Sequence, residues 1–310
     1  MPEYTVLGEE AIVKILDQYE VGSLLSFHIL NGGSENTNYL VETNKEQLVL
    51  SICEQKSNTQ ATELASLLNH LEAQGFNSSK VVLSKKKGAI ISWDGKPIML
   101  KKFIKGGIVE DFSFDLLKMI GKELATLHQV EVPGFIPHQL NYGIEQFGRV
   151  GIYAAGSDFE NWLNKISDYI VPHLKLDLPK ALIHGDLFWD NIIVHADRSS
   201  ITIMDFEEAV YYYRVFDIGM TIIGTCAEDE IINITKAQHL LSGYQTEAQL
   251  NKEELKSLRA FTIYAGASMT FWRHQNFNYV KPDPTMYDHY KGLKVLVDYM
   301  IEQDDNCLLD

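Results

Sequence analysis

The sequence predicts an α+β fold in two lobes, an N-terminal lobe built on an antiparallel sheet and a larger, mainly helical C-terminal lobe. Three observations carry this expectation. At 310 residues the chain exceeds what one small core accommodates. Before residue 105, short β-prone runs alternate with Gly, Asn, Ser and Lys, as antiparallel hairpins do. Beyond Gly106-Gly107 the apolar residues recur at helical spacing instead. The boundary falls within residues 103–108, giving lobes of 1–104 and 105–310.

Taken in order, residues 8–20 set Ile12, Val13, Ile15, Leu16 and Tyr19 near one face and predict an amphipathic helix. Phe27 to Leu30, Asn38 to Glu42 and Gln47 to Cys53 predict strands. Thr59 to Gln74 carries Leu64, Leu67, Leu68 and Leu71 at helical spacing and stops at Gly75, a C-cap residue. Gly88 to Trp93 and Pro97 to Ile104 predict a hairpin turning on Asp94-Gly95-Lys96, and the preceding Lys85, Lys86 and Lys87 read as a solvated loop. In the second lobe, Phe114 to Val130 sets Leu116, Leu117, Ile120, Leu124 and Leu127 on one buried face. Ile232 to Tyr244 and Glu253 to Trp272 predict further helices.

Composition narrows the function classes. A net charge of -15 opposes binding to nucleic acid or an anionic membrane. Cys53, Cys226 and Cys307 are odd in number and far apart, which fits neither a disulfide framework nor a zinc site. No run approaches the length of a membrane span, and MPEYTVLGEE lacks the basic start of a secretory signal, so a cytoplasmic location is expected.

Chemistry concentrates in HGDLFWDN, residues 184–191, set between the apolar runs ALI and IIV. The flanks predict buried strands and the polar centre a rigid loop between them. Fourteen residues beyond Asn191 lies Asp205, at the end of the strand-like run in ITIMDF. This order matches the protein-kinase template, H-R-D-L-x-x-x-N followed by D-F-G, and implies a protein-kinase-like two-lobe fold. Phosphoryl transfer from ATP needs hard oxygen ligands for Mg²⁺, a role that suits Asn191 and Asp205. It also needs a carboxylate that orients the acceptor hydroxyl and takes its proton, which is assigned to Asp186. His184 precedes that acid on a strand end and reads as structural support. Gly185 replaces the template arginine and no A-P-E follows, which argues against a protein substrate.

Around these motifs the sequence resembles the aminoglycoside phosphotransferase and choline kinase superfamily, and within it the type II homoserine kinases. The resemblance spans most of the chain: GSENTNYLVETNKEQLVLSICEQK, LLNHLEAQGF, HGDLFWDN, MDFEEA, and near the end MTFWRHQNF and KPDPTMYDHYKGL. It implies ATP and Mg²⁺ as cofactors and a small-molecule hydroxyl acceptor, L-homoserine, leaving the oligomeric state open. Residues Gly33, Ser34 and Asn36 of NGGSENTNY would approach phosphates through backbone N–H groups, although a plain hairpin turn would read the same way. Phe103 and Ile104 would form the adenine hinge. Ser51 falls where kinases carry their phosphate-binding lysine, as it does in this subfamily, and Lys56 is an alternative source of charge. Glu63 lies on the helix that would carry the kinase glutamate. A zwitterionic acceptor needs a cation for its carboxylate, with Arg273 first and Arg214 second, and an anion for its ammonium, for which Glu207 is the candidate. Asp217 in RVFDIG resembles the buried aspartate that braces the catalytic loop. Three alternatives stay open: another small alcohol as acceptor, a non-catalytic nucleotide-binding protein, and a metal-dependent hydrolase using His184, Asp186, Asp190 and Asp205.

Overall fold

A computed structural model describes residues 5–30 and 36–309. Gly33 and Ser34 lie outside the described residues. The chain divides into two compact units, Met1–Lys105 with Met204–Glu207, and Gly106–Ile203 with Glu208–Asp310.

The first unit is a five-stranded antiparallel sheet with helices. Its elements are α1 (Glu9–Leu16), β1 (Leu24–Leu30), β2 (Asn36–Thr43), β3 (Gln47–Cys53), α2 (Asn58–Ala73), β4 (Ile90–Trp93) and β5 (Lys96–Lys102). The strand order is β1-β2-β3-β5-β4. Because side chains alternate along a strand, Leu48, Leu50 and Ile52 of β3 share one face and pack with Ile12, Ile15 and Leu16 of α1, together with Ile98 and Leu100 of β5. The other face then carries Val49, Ser51 and Cys53, flanked in register by Asn36 and Asn38 of β2 and by Met99 and Lys101 of β5. Polar groups therefore collect on the face turned away from α1. The β4–β5 turn runs through Asp94 and Gly95, both at positive φ (49° and 78°), as a tight hairpin turn of the primed type requires. Ser57 caps α2 in a reciprocal capping box with Gln60. The segment Met204–Glu207 joins this unit through Phe206, whose ring meets that of Phe76 edge-on at 6.0 Å.

The second unit is mainly helical: α3 (Phe114–Leu127), the short turns α4 (Ile144–Phe147) and α5 (Val150–Tyr153), then α6 (Asp158–Ile170). Next come β6 (Lys180–Ile183), β7 (Ile192–Val194), β8 (Ile201–Ile203) and β9 (Val210–Tyr213). The chain closes with α7 (Arg214–Thr225), β10 (Ala227–Glu228), β11 (Ile231–Ile232), α8 (Ile234–Glu247), α9 (Lys252–Gln275) and α10 (His289–Glu302). ALI and IIV are strands, but they do not pair with each other: β6 pairs with β9, and β7 with β8. The apolar run at Ile231-Ile232 forms a hairpin with β10 rather than starting a helix. Asp229 and Glu230 turn it at positive φ, and α8 starts only after Asn233, whose side chain caps Lys236 N–H. The three cysteines are free thiols. Among the described residues, no helix is long and apolar enough to cross a membrane.

Candidate active site

The segment HGDLFWDN is held by two strand ends and one buried acid. Residues 184–191 leave β6 and enter β7, and Asp217 of α7, with 0% exposure, ties down the start of the loop. Its Oδ2 accepts from His184 N–H and its Oδ1 from Gly185 N–H, each at 2.8 Å. His128 Nε2 lies 3.1 Å from Oδ2, and Nδ1 of the same ring is 2.9 Å from the Tyr244 hydroxyl. Burial alone would raise the Asp217 pKa. The hydrogen bond with His128, the nearby His184 imidazole and the Gly185 amide outweigh it and hold the carboxyl below its ordinary value. A buried anion thus fixes the loop backbone through directed donors.

Gly185 is demanded by this geometry. Its φ is +84°, and a Cβ there would lie 2.8 Å from the Glu208 carbonyl oxygen and 2.8 Å from the Tyr142 hydroxyl, which donates to Gly185 O. The glycine that distinguishes this loop from the kinase arginine therefore has a conformational cause. His184 is fully buried, and its Nδ1 accepts from Asp186 N–H at 3.2 Å, so its imidazole supports the loop from within. Asp186 itself is half-buried.

A 3₁₀ turn over Trp189–Asn191 brings Asn191 back toward the start of the loop. Asn191 Nδ2 donates to Asp186 O at 2.8 Å, which leaves Oδ1 as the end able to bind a cation. The register Ile192↔Ile203 makes the entry to β7 and the exit from β8 the same end of one hairpin. Asp205, just past that exit, is exposed and has φ +66°, a left-handed conformation that Asp tolerates better than most residues. Amide and carboxylate oxygens are the donor types Mg²⁺ takes, so each of these residues is by its chemistry suited to that ion.

Arg273 of α9 is the cation of this unit's acidic loop. Its guanidinium carbon lies 5.4 Å from the Phe188 ring centre, and Nη1 is 3.4 Å from His289 Nε2. Burial draws its pKa below the usual arginine value, while the charges of Asp186 and Asp190 act in the opposite direction. One turn further on, α9 widens into a π turn over Asn276–Val280, closed by Lys281 N–H to Asn276 O at 2.8 Å. His274 faces away from Arg273's partners, stacked on Phe159 at 3.7 Å with Tyr153, Tyr279 and Tyr290 around it.

Burial lowers the His274 pKa to about 4 from an ordinary value of 6.5. The unfolded chain then binds the proton more readily between those values, so stability is full above pH 6.5 and falls as pH drops toward 4. Wild type should lose about 2 kcal/mol between pH 7 and pH 5 that His274→Phe does not lose. Urea unfolding at the two pH values checks this, and parallel losses in both proteins would refute it.

Arg214, the second carboxylate-clamp candidate, is used elsewhere. Its Nε and Nη2 reach the two oxygens of Glu254 at 2.5 and 2.7 Å, and Nη2 also donates to Gln249 O. The Glu254 side chain is 0% exposed and closes the capping box of α9 with Asn251, so Arg214 is a packing cation rather than an acceptor contact. Phe103 N–H donates to Gln47 O at 3.1 Å, which ties the end of β5 to the start of β3. Glu63 on α2 is exposed.

In the first unit, the Ser51 hydroxyl is buried and donates to Asn38 Oδ1 at 2.6 Å across the β2–β3 ladder. Glu207, the candidate for an acceptor's ammonium, instead meets Lys56 Nζ at 2.9 Å and also accepts from Asn36 Nδ2. Sequence reasoning did not foresee this triad, nor His128 and His289 at their sites. His128 stands at the C-cap of α3, where nothing in a single sequence separates it from a solvated cap residue.

A glycine-turned loop pinned by a buried aspartate thus carries an acid and an asparagine in the order that the protein-kinase catalytic loop uses. The chain belongs to the phosphotransferase enzyme family, whose model matches residues 26–250, and it is a small-molecule kinase. It is 28% identical over 307 residues to a homoserine kinase of Agrobacterium fabrum, covering 93% of this chain and 94% of that one. The fold is similar to that of an amicoumacin kinase in complex with AMP-PNP, Ca²⁺ and amicoumacin (TM-score 0.74, 18% identity, 97% of each chain). It is also similar to that of a microcompartment-associated aminopropanol kinase (TM-score 0.72, 18% identity, 97% and 95%).

Proposed function

We propose that this chain transfers the γ-phosphoryl group of ATP to the hydroxyl of L-homoserine, giving O-phospho-L-homoserine for threonine synthesis in the cytoplasm. The observation that carries the reading is Arg273, a half-buried guanidinium in the field of Asp186 within one unit. A cation beside the base suits an acceptor that brings a carboxylate with its hydroxyl. The homoserine kinase relative, similar along nearly the whole chain, supports the same acceptor.

Asp186 would orient the hydroxyl and take its proton as the new P–O bond forms in line with the bond to ADP that breaks. Asn191 and Asp205 would hold Mg²⁺, which when bound neutralises the charge on the transferring phosphoryl oxygens. Arg273 would fix the carboxylate of homoserine, and the exposed Asp190, whose charge also acts on Arg273, would meet its ammonium. Asn36, Ser51, Phe103 and Ile104 would line the nucleotide side.

Removing the guanidinium deletes a charge-assisted contact of about 1.5–3 kcal/mol, so Arg273→Ala should raise KM for homoserine about 10- to 150-fold. The KM for ATP should change little. Steady-state ADP release with each substrate varied in turn decides this, and an unchanged homoserine KM would remove the clamp. A second reading, an amino alcohol without a carboxylate, draws on the net charge of -15, which favours a cationic acceptor. For such an acceptor, Arg273→Ala would lower KM instead.

A further inference from the structure

We propose that Lys56 supplies the phosphate-binding cation missing at Ser51, and that Glu207 is the positioning residue that presents it. This deepens the nucleotide side of the reading above and rests on it. At Ser51 the strand offers only a buried neutral hydroxyl, already donated to Asn38 at 2.6 Å. Lys56 lies just beyond the end of β3, and its ammonium is 2.9 Å from Glu207 Oε2, with side-chain exposures of 16% and 11% for the pair. Asn36 Nδ2 donates to the other oxygen, so the carboxylate is held on both sides. Asn36 opens β2 and pairs in register with Cys53, the last residue of β3. Glu207 sits two residues from Asp205, on the segment that Phe206 fixes against Phe76. One carboxylate therefore links the β3 end, the start of β2 and the segment that carries Asp205.

The chemistry argues for use rather than stability. Desolvating both ions of such a pair offsets most of its attraction, so this largely buried lysine and glutamate add little to folding. What the pair does provide is an ammonium aimed by a fixed partner, which is how kinases present their strand lysine through a helix glutamate. Here the helix glutamate position is vacated by function, since Glu63 is exposed, and Glu207 takes over the partner's task. Lys101 of β5 is the competing cation, because it shares the sheet face of Ser51.

Calorimetric titration with ADP in the presence of Mg²⁺, and with adenosine, separates the possibilities without any acceptor. Lys56→Met should weaken ADP binding about 10- to 100-fold and leave adenosine within about threefold, because only ADP carries phosphates for the lysine to meet. Lys56→Arg should recover most of the loss, and Glu207→Gln should show a partial one. Lys101→Met should bind both like wild type. The proposal is overturned if Lys56→Met binds ADP as wild type does, or if the loss follows Lys101→Met. Adenosine binding doubles as the test of folding, and a variant that loses adenosine and ADP equally also counts against the assignment. A wild type that binds ADP no better than adenosine would sink the nucleotide reading itself, a result distinct from either.

Discussion

Asp186→Asn should lower kcat by about 10²- to 10⁴-fold while the KM values for both substrates stay within a few-fold. Asparagine matches the carboxylate in shape, so the loop keeps its form: Asp186 N–H still reaches His184 Nδ1 and its carbonyl still receives Asn191 Nδ2. What disappears is the ability to accept the hydroxyl proton in the transition state. A loss confined to kcat is the signature of an interaction made there and not in the ground state. Measuring kcat and KM for ADP release in both proteins gives the answer. Equal turnover would mean that Asp186 is not the base.

The second large effect is expected at Asp217, and it is structural. Asp217→Ala would strand the buried N–H groups of His184 and Gly185 and the ring of His128 without their acceptor. Breaking a buried, hydrogen-bonded charge of this kind costs about 3–5 kcal/mol. For a protein of this size the melting temperature should fall by about 10 °C. Asp217→Asn keeps one acceptor oxygen but not two, so it should fall between wild type and alanine. Thermal unfolding of the three proteins tests this, and an alanine variant as stable as wild type would show that the loop is held by something else. Activity should fall further than stability, because the residues that Asp217 positions lead directly into Asp186.

The strand-loop-strand form of HGDLFWDN and its flanks was readable because its information is local. HGDLFWDN packs acid, amide and glycine into eight residues between runs that form strands, and β3 spans the Gln47 to Cys53 that its alternation marks. Pairings across long sequence separations were not readable. Nothing near Arg214 announces that Glu254 will pair with Nε and Nη2 along one edge of its guanidinium, and nothing near Glu207 points back to Lys56. The alternation of Ile231, Ile232 and Ile234 fits a helix start as well as a strand, and only the turn at Asp229 and Glu230 resolves it. Gly185 could be noticed in the sequence as a departure from the kinase arginine. Its cause, a positive φ beneath the Tyr142 hydroxyl, is visible only in three dimensions.

The central claim is that a kinase loop and the Arg273 cation serve one amino-acid acceptor. Its most direct test is ADP release with Mg²⁺-ATP against homoserine, threonine, choline, methylthioribose and an aminoglycoside, with Asp186→Asn as control. Homoserine should give the highest kcat/KM, by at least about tenfold, with O-phosphohomoserine as product. Preference for any other hydroxyl compound, or ADP release indifferent to all of them, would contradict it.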